Sequence, residues 1–256
     1  MPPSGLDPST LLGAGLSADV YSHGPGRVVK LFRSGYPRAV VDRKFRVVRA
    51  IHAAGLPAPA VHDFIERDGR CGFILERIEG PSLFTSVQAK PWTLFRSVRL
   101  LADLHAEVHR HPAPPELPSQ RETLAFAIRA ATHLSPAIRD DALARLAALP
   151  DRDALCHGDF HPANIILSPR GPIIIDWDGA TRGDPLCDVA ITSRLMLHAS
   201  LPAGSPRHMH FLLATFRSLL HRAYLRRSLR LRNASPSDLD RWRIPLAAAA
   251  KTDRSL

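Results

Sequence analysis

Cysteine is scarce in this chain. Three of the 256 residues are cysteine, Cys71, Cys156 and Cys187, and no two form a Cys-x-x-Cys pair. That spacing excludes a disulfide framework and fits a reducing compartment, so a cytoplasmic protein is expected. Aromatic residues are few as well, at 6%, and the arginines run along the chain without aromatics interleaved among them. A basic surface without stacking partners argues against nucleic acid as a ligand. No apolar run approaches the length of a membrane span, and Met1 to Thr10 lacks the charged-then-apolar order of a signal peptide. Neither membrane insertion nor export is therefore expected. Acidic residues are outnumbered, 24 to 34, which leaves a formal net charge of +10 and suits a polyanionic partner such as a nucleoside triphosphate. With 45% hydrophobic residues the chain can bury one sizeable core, or two lobes sharing a cleft.

The densest chemistry lies between Leu155 and Ala190, LCHGDFHPANIILSPRGPIIIDWDGATRGDPLCDVA. Apolar runs Ile165 to Leu167 and Ile173 to Ile175 flank the turn Ser168 to Pro172, which predicts a short β-hairpin. His157, Asp159 and Asn164 precede it, and Asp176 follows its second strand directly. A loop carboxylate with an Asn five positions later, and a further carboxylate at the mouth of a buried strand, is the arrangement phosphoryl transfer requires. One Asp takes the proton of the attacking hydroxyl, and the remaining oxygens suit Mg²⁺, which prefers hard oxygen ligands. Blander readings exist. Asp159 could be a turn residue. His157 and His161 could be metal ligands of a hydrolase, although no further cluster of ligand spacing completes a coordination shell. Asp184 and Pro185 read as the N-cap and first position of a helix.

HGDFHPAN, IIIDWD and GDPLCDVA together resemble the aminoglycoside phosphotransferase and choline kinase branch of the protein-kinase-like fold. The resemblance implies an α+β, protein-kinase-like two-lobed fold with a small antiparallel-sheet N-lobe, residues 1–79, and a mostly helical C-lobe, residues 80–256. It implies Asp159 as catalytic base, Asn164 and Asp176 as magnesium ligands, and His157 as a brace for the loop. Asp188, one helical turn beyond Asp184, resembles the family's loop-steadying Asp.

The remaining chain is read against that resemblance. Leu11 to Phe32 reads as a glycine-containing hairpin in which Gly13, Gly15, Ala18 and Val20 follow the kinase glycine-loop spacing, with Ala in place of the third Gly. Backbone amides of such a loop approach phosphates, and the Val covers the base. Lys30 stands where the kinase lysine reaches the α and β phosphates, its bland alternative being an exposed strand lysine. A helix follows, with Val40, Val41, Phe45, Val48, Ile51 and His52 at helical spacing and its end at Gly55. Relatives usually carry a Glu about where Lys44 stands, to pair with the strand lysine, so the charge is reversed here and Lys30 is expected to be held by another carboxylate, Asp42 one position off in register. Strands are expected at Val61 to Glu66 and Cys71 to Ile78, the latter ending in a hinge where backbone groups of Glu76 and Ile78 would read the adenine edge.

Leu94 to His109 forms an amphipathic pattern whose LADLH resembles a family core helix, with His105 a core histidine. His111 to Pro118 is a proline-rich loop. Helices are predicted at Glu122 to Leu134, Ala137 to Leu149, Ala190 to Ala199, Pro206 to Leu231 and Ser237 to Lys251. From Ser200 onward, eleven Lys and Arg face three Asp and Glu. Acidic walls suit a polycationic aminoglycoside, so a neutral or anionic hydroxyl compound is the expected acceptor. The resulting expectation is a kinase using ATP and Mg²⁺ on a small-molecule hydroxyl. Its rival is an ATP-binding or non-catalytic module, suggested by Lys44. Nothing in the sequence specifies an oligomeric state.

Overall fold

The computed structural model describes residues 10–15, 17–198 and 207–250, with side chains 207–216 outside the description. The chain divides into two compact units, one made of Met1–Ser82 with Asn164–Asp178, the other of Leu83–Ala163 with Gly179–Leu256. A single boundary between residues 79 and 80 was expected; the hairpin after the Asp159 loop groups with the N-terminal sheet.

The first unit is built on a five-stranded antiparallel sheet ordered β1-β2-β3-β5-β4. Its strands are β1 (Leu11–Ala14), β2 (Ala18–Ser22), β3 (Arg27–Phe32), β4 (Val61–Arg67) and β5 (Arg70–Glu76). Gly13 pairs with Val20, Val20 with Lys30, Lys30 with Phe73, and Phe73 with Phe64. Residues directly opposite one another project to the same face. One row across the sheet therefore carries Gly13, Val20, Lys30, Phe73 and Phe64. The opposite face buries Tyr21, Val29, Leu31 and Ile74.

Helix α1 (Arg38–Ala53) buries Val41, Phe45, Val47, Val48 and Ile51, while His52, expected on that face, is exposed. Phe45 meets the Phe64 and Phe73 rings at 5.8 and 6.0 Å, so α1 covers the Lys30 face. The unit is completed by the expected hairpin, β7 (Ile165–Ser168) and β8 (Gly171–Ile174), whose pairing runs on to Ser168 opposite Gly171, so the turn is tighter than the expected Ser168 to Pro172. Gly80 makes the join. Its φ is +137°, and a Cβ there would lie 2.4 Å from the Leu167 carbonyl oxygen, so only glycine lets the backbone pass β7 so closely.

The second unit is helical: α2 (Leu83–Ala89), α3 (Leu94–Val108), α4 (Gln120–Ala130), α5 (Pro136–Ala147), α6 (Pro185–His198), α7 (Arg207–Arg230), α8 (Pro236–Asp240) and α9 (Arg243–Ala249). Its core packs Ile128, Leu146, Leu149, Cys187 and Ala190 against Trp242 and Leu246. Asp184 accepts the Leu186 N–H at 2.7 Å, the expected start of α6. The single helix expected over Ser237 to Lys251 is broken into α8 and α9. Pro245 has no N–H for a helical bond to Arg241, so it is tolerated only in the first turn of a new helix. The expected ends at Ala199, Pro206 and Lys251 lie outside the described residues. A two-stranded pairing of β6 (Ala154–Cys156) with β9 (Thr181–Gly183) brackets the segment that holds the Asp159 loop.

Candidate active site

In the first unit, the site begins with Trp177. Its ring is 1% exposed and its Nε1 donates to the Ile174 carbonyl at 2.8 Å. The two carboxylates that flank this buried indole, Asp176 and Asp178, meet on one lysine. Lys30 Nζ lies 2.6 Å from Asp176 Oδ1 and 2.9 Å from Asp178 Oδ2. The lysine ammonium is buried, which by itself would lower its pKa, but the two carboxylates outweigh this and raise it. Asp176 has φ +65°, a left-handed backbone that Asp tolerates better than most residues and that recurs at functional sites.

Asn164 is buried at the end of a single 3-10 turn, and its carbonyl accepts the Ile175 N–H at 2.9 Å. Asn164 is thereby fastened beside the residue preceding Asp176. The side chains of Asn164 and Asp176 are both hard oxygen donors, one neutral and one anionic, and that donor chemistry fits Mg²⁺. Gly13 lies on β1, and Gly15 just beyond it donates to the Ala18 carbonyl at 2.9 Å. Val20 lies on β2 opposite Lys30. The Glu76 carboxylate accepts from Arg170 at 2.5 Å and from the Ala60 N–H at 3.2 Å, so its side chain is structural. The Glu76 N–H also bonds Ala60. β5 ends at Glu76, leaving Ile78 beyond the strand with no backbone partner among the described residues.

Lys30 is not held by Asp42, whose carboxylate instead bonds Arg46 at 2.9 Å one helical turn on. Lys44 donates to the Asp178 backbone carbonyl at 3.2 Å and stands 3.8 Å from Asp178 Oδ2.

In the second unit, the loop carrying Asp159 is bound to a buried carboxylate. Asp188 accepts the His157 N–H at 2.6 Å and the Gly158 N–H at 2.9 Å, and both His105 Nε2 and His109 Nε2 lie 3.1 Å from its Oδ2. The donors can be assigned. Arg232 only donates, and it addresses His109 Nδ1 through Nε at 3.1 Å, so the His109 proton sits on Nε2, facing Asp188. The Asp188 carboxylate only accepts, so His105 presents Nε2–H to it and takes the Tyr224 hydroxyl on Nδ1 at 2.7 Å. Burial would push the Asp188 carboxyl up, but these donors hold it well below the usual carboxylate range. Burial also lowers both histidines, His109 to about 3 with His105 beside it adding to the effect. The network is thus a neutral His pair around a charged Asp.

Gly158 has φ +82°, and a Cβ would lie 2.5 Å from the Gly179 carbonyl oxygen, so the loop turns where no side chain fits. His157 is fully buried and its Nδ1 accepts the Asp159 N–H at 3.2 Å, which is a brace within the loop. Phe160 stacks on His105 at 4.2 Å. The Asp159 side chain is 44% exposed, with His161 Nε2 3.6 Å from its Oδ2. A metal reading of His157 and His161 finds no support, because each Nδ1 accepts a backbone N–H of its own loop. Among the described residues, His105, His109 and Asp188 alone group at ligand spacing. The two imidazole N–H groups are already taken by Asp188, and His109 Nδ1 by the Arg232 guanidinium.

Sequence reasoning missed Asp178, His109, Tyr224 and Arg232. Two had a signal: Asp178 follows Asp176 by two across a buried Trp, and His109 follows His105 by four on one helix face.

A sheet bearing a paired lysine and a helical remainder bearing a clamped HGD loop define a protein-kinase-like fold. The chain belongs to the phosphotransferase enzyme family, APH, whose profile matches residues 9–247. Its fold is similar to that of an aminoglycoside-3'-phosphotransferase of type VIII, with a TM-score of 0.66 at 20% identity, over 92% of this chain and 90% of that one. It is also similar to an aminoglycoside phosphotransferase from Streptomyces rimosus in complex with ADP and streptomycin, with a TM-score of 0.56 at 17% identity over 90% of each chain. Acyl-CoA dehydrogenase family member 11 of Gallus gallus is 29% identical over 176 residues, which is 60% of this chain and 23% of that protein. The chain thus spans about a quarter of the length of that relative. No described helix is long and apolar enough to cross a membrane.

Proposed function

We propose that this phosphotransferase is an ATP-dependent small-molecule kinase that transfers the γ-phosphoryl group to an acceptor hydroxyl. The observation that carries the reading is the Lys30–Asp176 contact at 2.6 Å, which joins residues 146 positions apart into one charged pair. Lys30 and the amides around Gly13 and Gly15 hold the triphosphate, with Val20 against the base and the backbone near Glu76 and Ile78 at its edge. Asn164 and Asp176 hold Mg²⁺, which when bound neutralises phosphate charge. Asp159 accepts the proton of the acceptor hydroxyl as the acceptor oxygen bonds to the γ phosphorus and the bond to the ADP oxygen breaks. His157 and Asp188 keep that loop in place. Positioning and charge neutralisation supply the catalysis. ADP in a structural relative supports the nucleotide assignment.

The acceptor is read as neutral or anionic. Basic residues outnumber acidic ones eleven to three from Ser200 onward. Arg227 and Arg232 are committed to Asp103 and His109, so the surplus belongs to the others. The names of the curated relatives carry acyl-CoA, which places hydroxyacyl-CoA thioesters beside sugars, amino alcohols and aminoglycosides in a test panel. The experiment is that panel with Mg·ATP and product detection by mass. The expected result is one acceptor gaining a phosphoryl group with stoichiometric ADP. Nucleotide binding with no acceptor-dependent ADP favours the non-catalytic module that the reversed charge at Lys44 suggests. A cytoplasmic location remains part of the proposal, on the cysteine usage.

A further inference from the structure

Position 44 poses an electrostatic problem. In the family resemblance a helix carboxylate pairs with the strand lysine, yet this chain places a second cation there. Two ammonium groups at one point repel unless an anion stands between them. Lys30 Nζ and Lys44 Nζ each lie 5.7 Å from the centroid of the Phe32 ring and both approach one carboxylate oxygen, so they do converge. The anion between them is Asp178. Its Oδ2 is 2.9 Å from Lys30 Nζ and 3.8 Å from Lys44 Nζ, and Lys44 also grips the Asp178 backbone carbonyl at 3.2 Å. The alternatives are occupied or unsuited. Asp42 is engaged with Arg46. Asp176 is 42% exposed against 12% for Asp178, and its oxygens are those assigned to the cation. Once Asp176 turns to a cation, Lys30 would lose a partner, and Asp178 alone of the pair would remain.

We infer that Asp178 is the positioning carboxylate of Lys30, supplying from the end of the hairpin the charge that relatives supply from the helix, and that Lys44 holds Asp178 in place. The charge pair is relocated, so the reversed residue at 44 is compatible with an ordered lysine. This rests on the reading of Lys30 as the phosphate-binding lysine. Asp178 acts through Lys30 and needs no contact with substrate.

The test is titration of the full chain with AMP-PNP and MgCl₂ by calorimetry, with thermal unfolding of the nucleotide-free protein alongside. Wild-type protein that binds no AMP-PNP contradicts the kinase reading itself, whatever the variants do. Given wild-type binding, Asp178→Asn is expected to weaken it about tenfold or more and Asp178→Glu by less than about threefold. The decisive variant is the double Lys44→Glu/Asp178→Asn, which returns the carboxylate to the helix. It should recover to within about threefold of wild type, a rescue that a merely structural role for Asp178 would not produce. Asp178→Asn binding like wild type, or a double variant no tighter than Asp178→Asn, overturns the inference. If Asp178→Asn does not fold, Lys44→Met carries the test, since it keeps the carboxylate and removes its clamp. Binding weakened about three- to tenfold is then expected, and unchanged binding overturns the inference.

Discussion

The carboxylate of Asp188 accepts the backbone N–H of His157 at 2.6 Å, across 31 residues of chain, and does so from a fully buried position. A charge is buried only where donors surround it. Here the HGD loop provides two of those donors, and His105 of α3 with His109 just past its end the others, so the loop's shape and the stability of the helical unit depend on one side chain.

Replacing Asp188 should therefore damage both. Asp188→Ala leaves two backbone N–H groups and two histidine N–H groups facing a void, and a loss of about 3–5 kcal/mol is expected from urea unfolding. Asp188→Asn keeps the shape but removes the charge, so it should retain more stability than Asp188→Ala while still losing activity.

The same network makes the fold acid-sensitive. His109 titrates at about 3 when folded, against about 6.5 in an unfolded chain. The folded pKa is depressed, so as pH falls below about 6.5 the unfolded chain takes up a proton that the folded state refuses, and stability declines until about pH 3. His105 is lowered as well and acts in the same direction. Asp188 adds to the loss once pH drops through the ordinary carboxylate range, because its folded pKa is lower still. Unfolding free energies at pH 7.5, 6 and 5 should fall steadily, and His109→Gln should flatten the slope.

Trp177 sets the direction of the two carboxylates beside it. Trp177→Ala removes a fully buried indole and should cost about 3–5 kcal/mol by chemical denaturation. Because Asp176 and Asp178 then lose their common orientation, nucleotide binding should weaken in whatever fraction remains folded.

Lys30→Met leaves Asp176 and Asp178 facing each other without the cation that reconciles them. Turnover with the best acceptor should fall by about 10²-fold or more. Steady-state kinetics on protein of verified fold would check it.

Much of this was legible from residues alone, for reasons that differ by place. The β7–β8 hairpin announced itself because two isoleucine-rich runs flank a proline-glycine turn, and α1 and α3 because their apolar residues recur at helical spacing. Asp159, Asn164 and Asp176 stood out because polar residues beside a buried strand have few structural uses. Other features were silent. The β6–β9 pairing is three residues on each side, too short to leave a periodic trace. The break between α8 and α9 turned on Pro245 alone. The partner of Lys30 could not be found by register along α1, because the carboxylate comes from a residue 148 positions away, and long-range charge pairing has no local signature. Arg232 and Tyr224 meet the α3 histidines in the same way, through packing of helices distant in sequence.

The central claim is that Asp159 takes the proton of an acceptor hydroxyl while the nucleotide is held elsewhere. Its most direct measurement is acceptor-dependent ADP release by wild type and Asp159→Asn side by side, with Mg·AMP-PNP binding measured on the same samples. The account predicts turnover lowered by about 10²- to 10⁴-fold in the variant with nucleotide affinity unchanged. Full turnover by Asp159→Asn would contradict it.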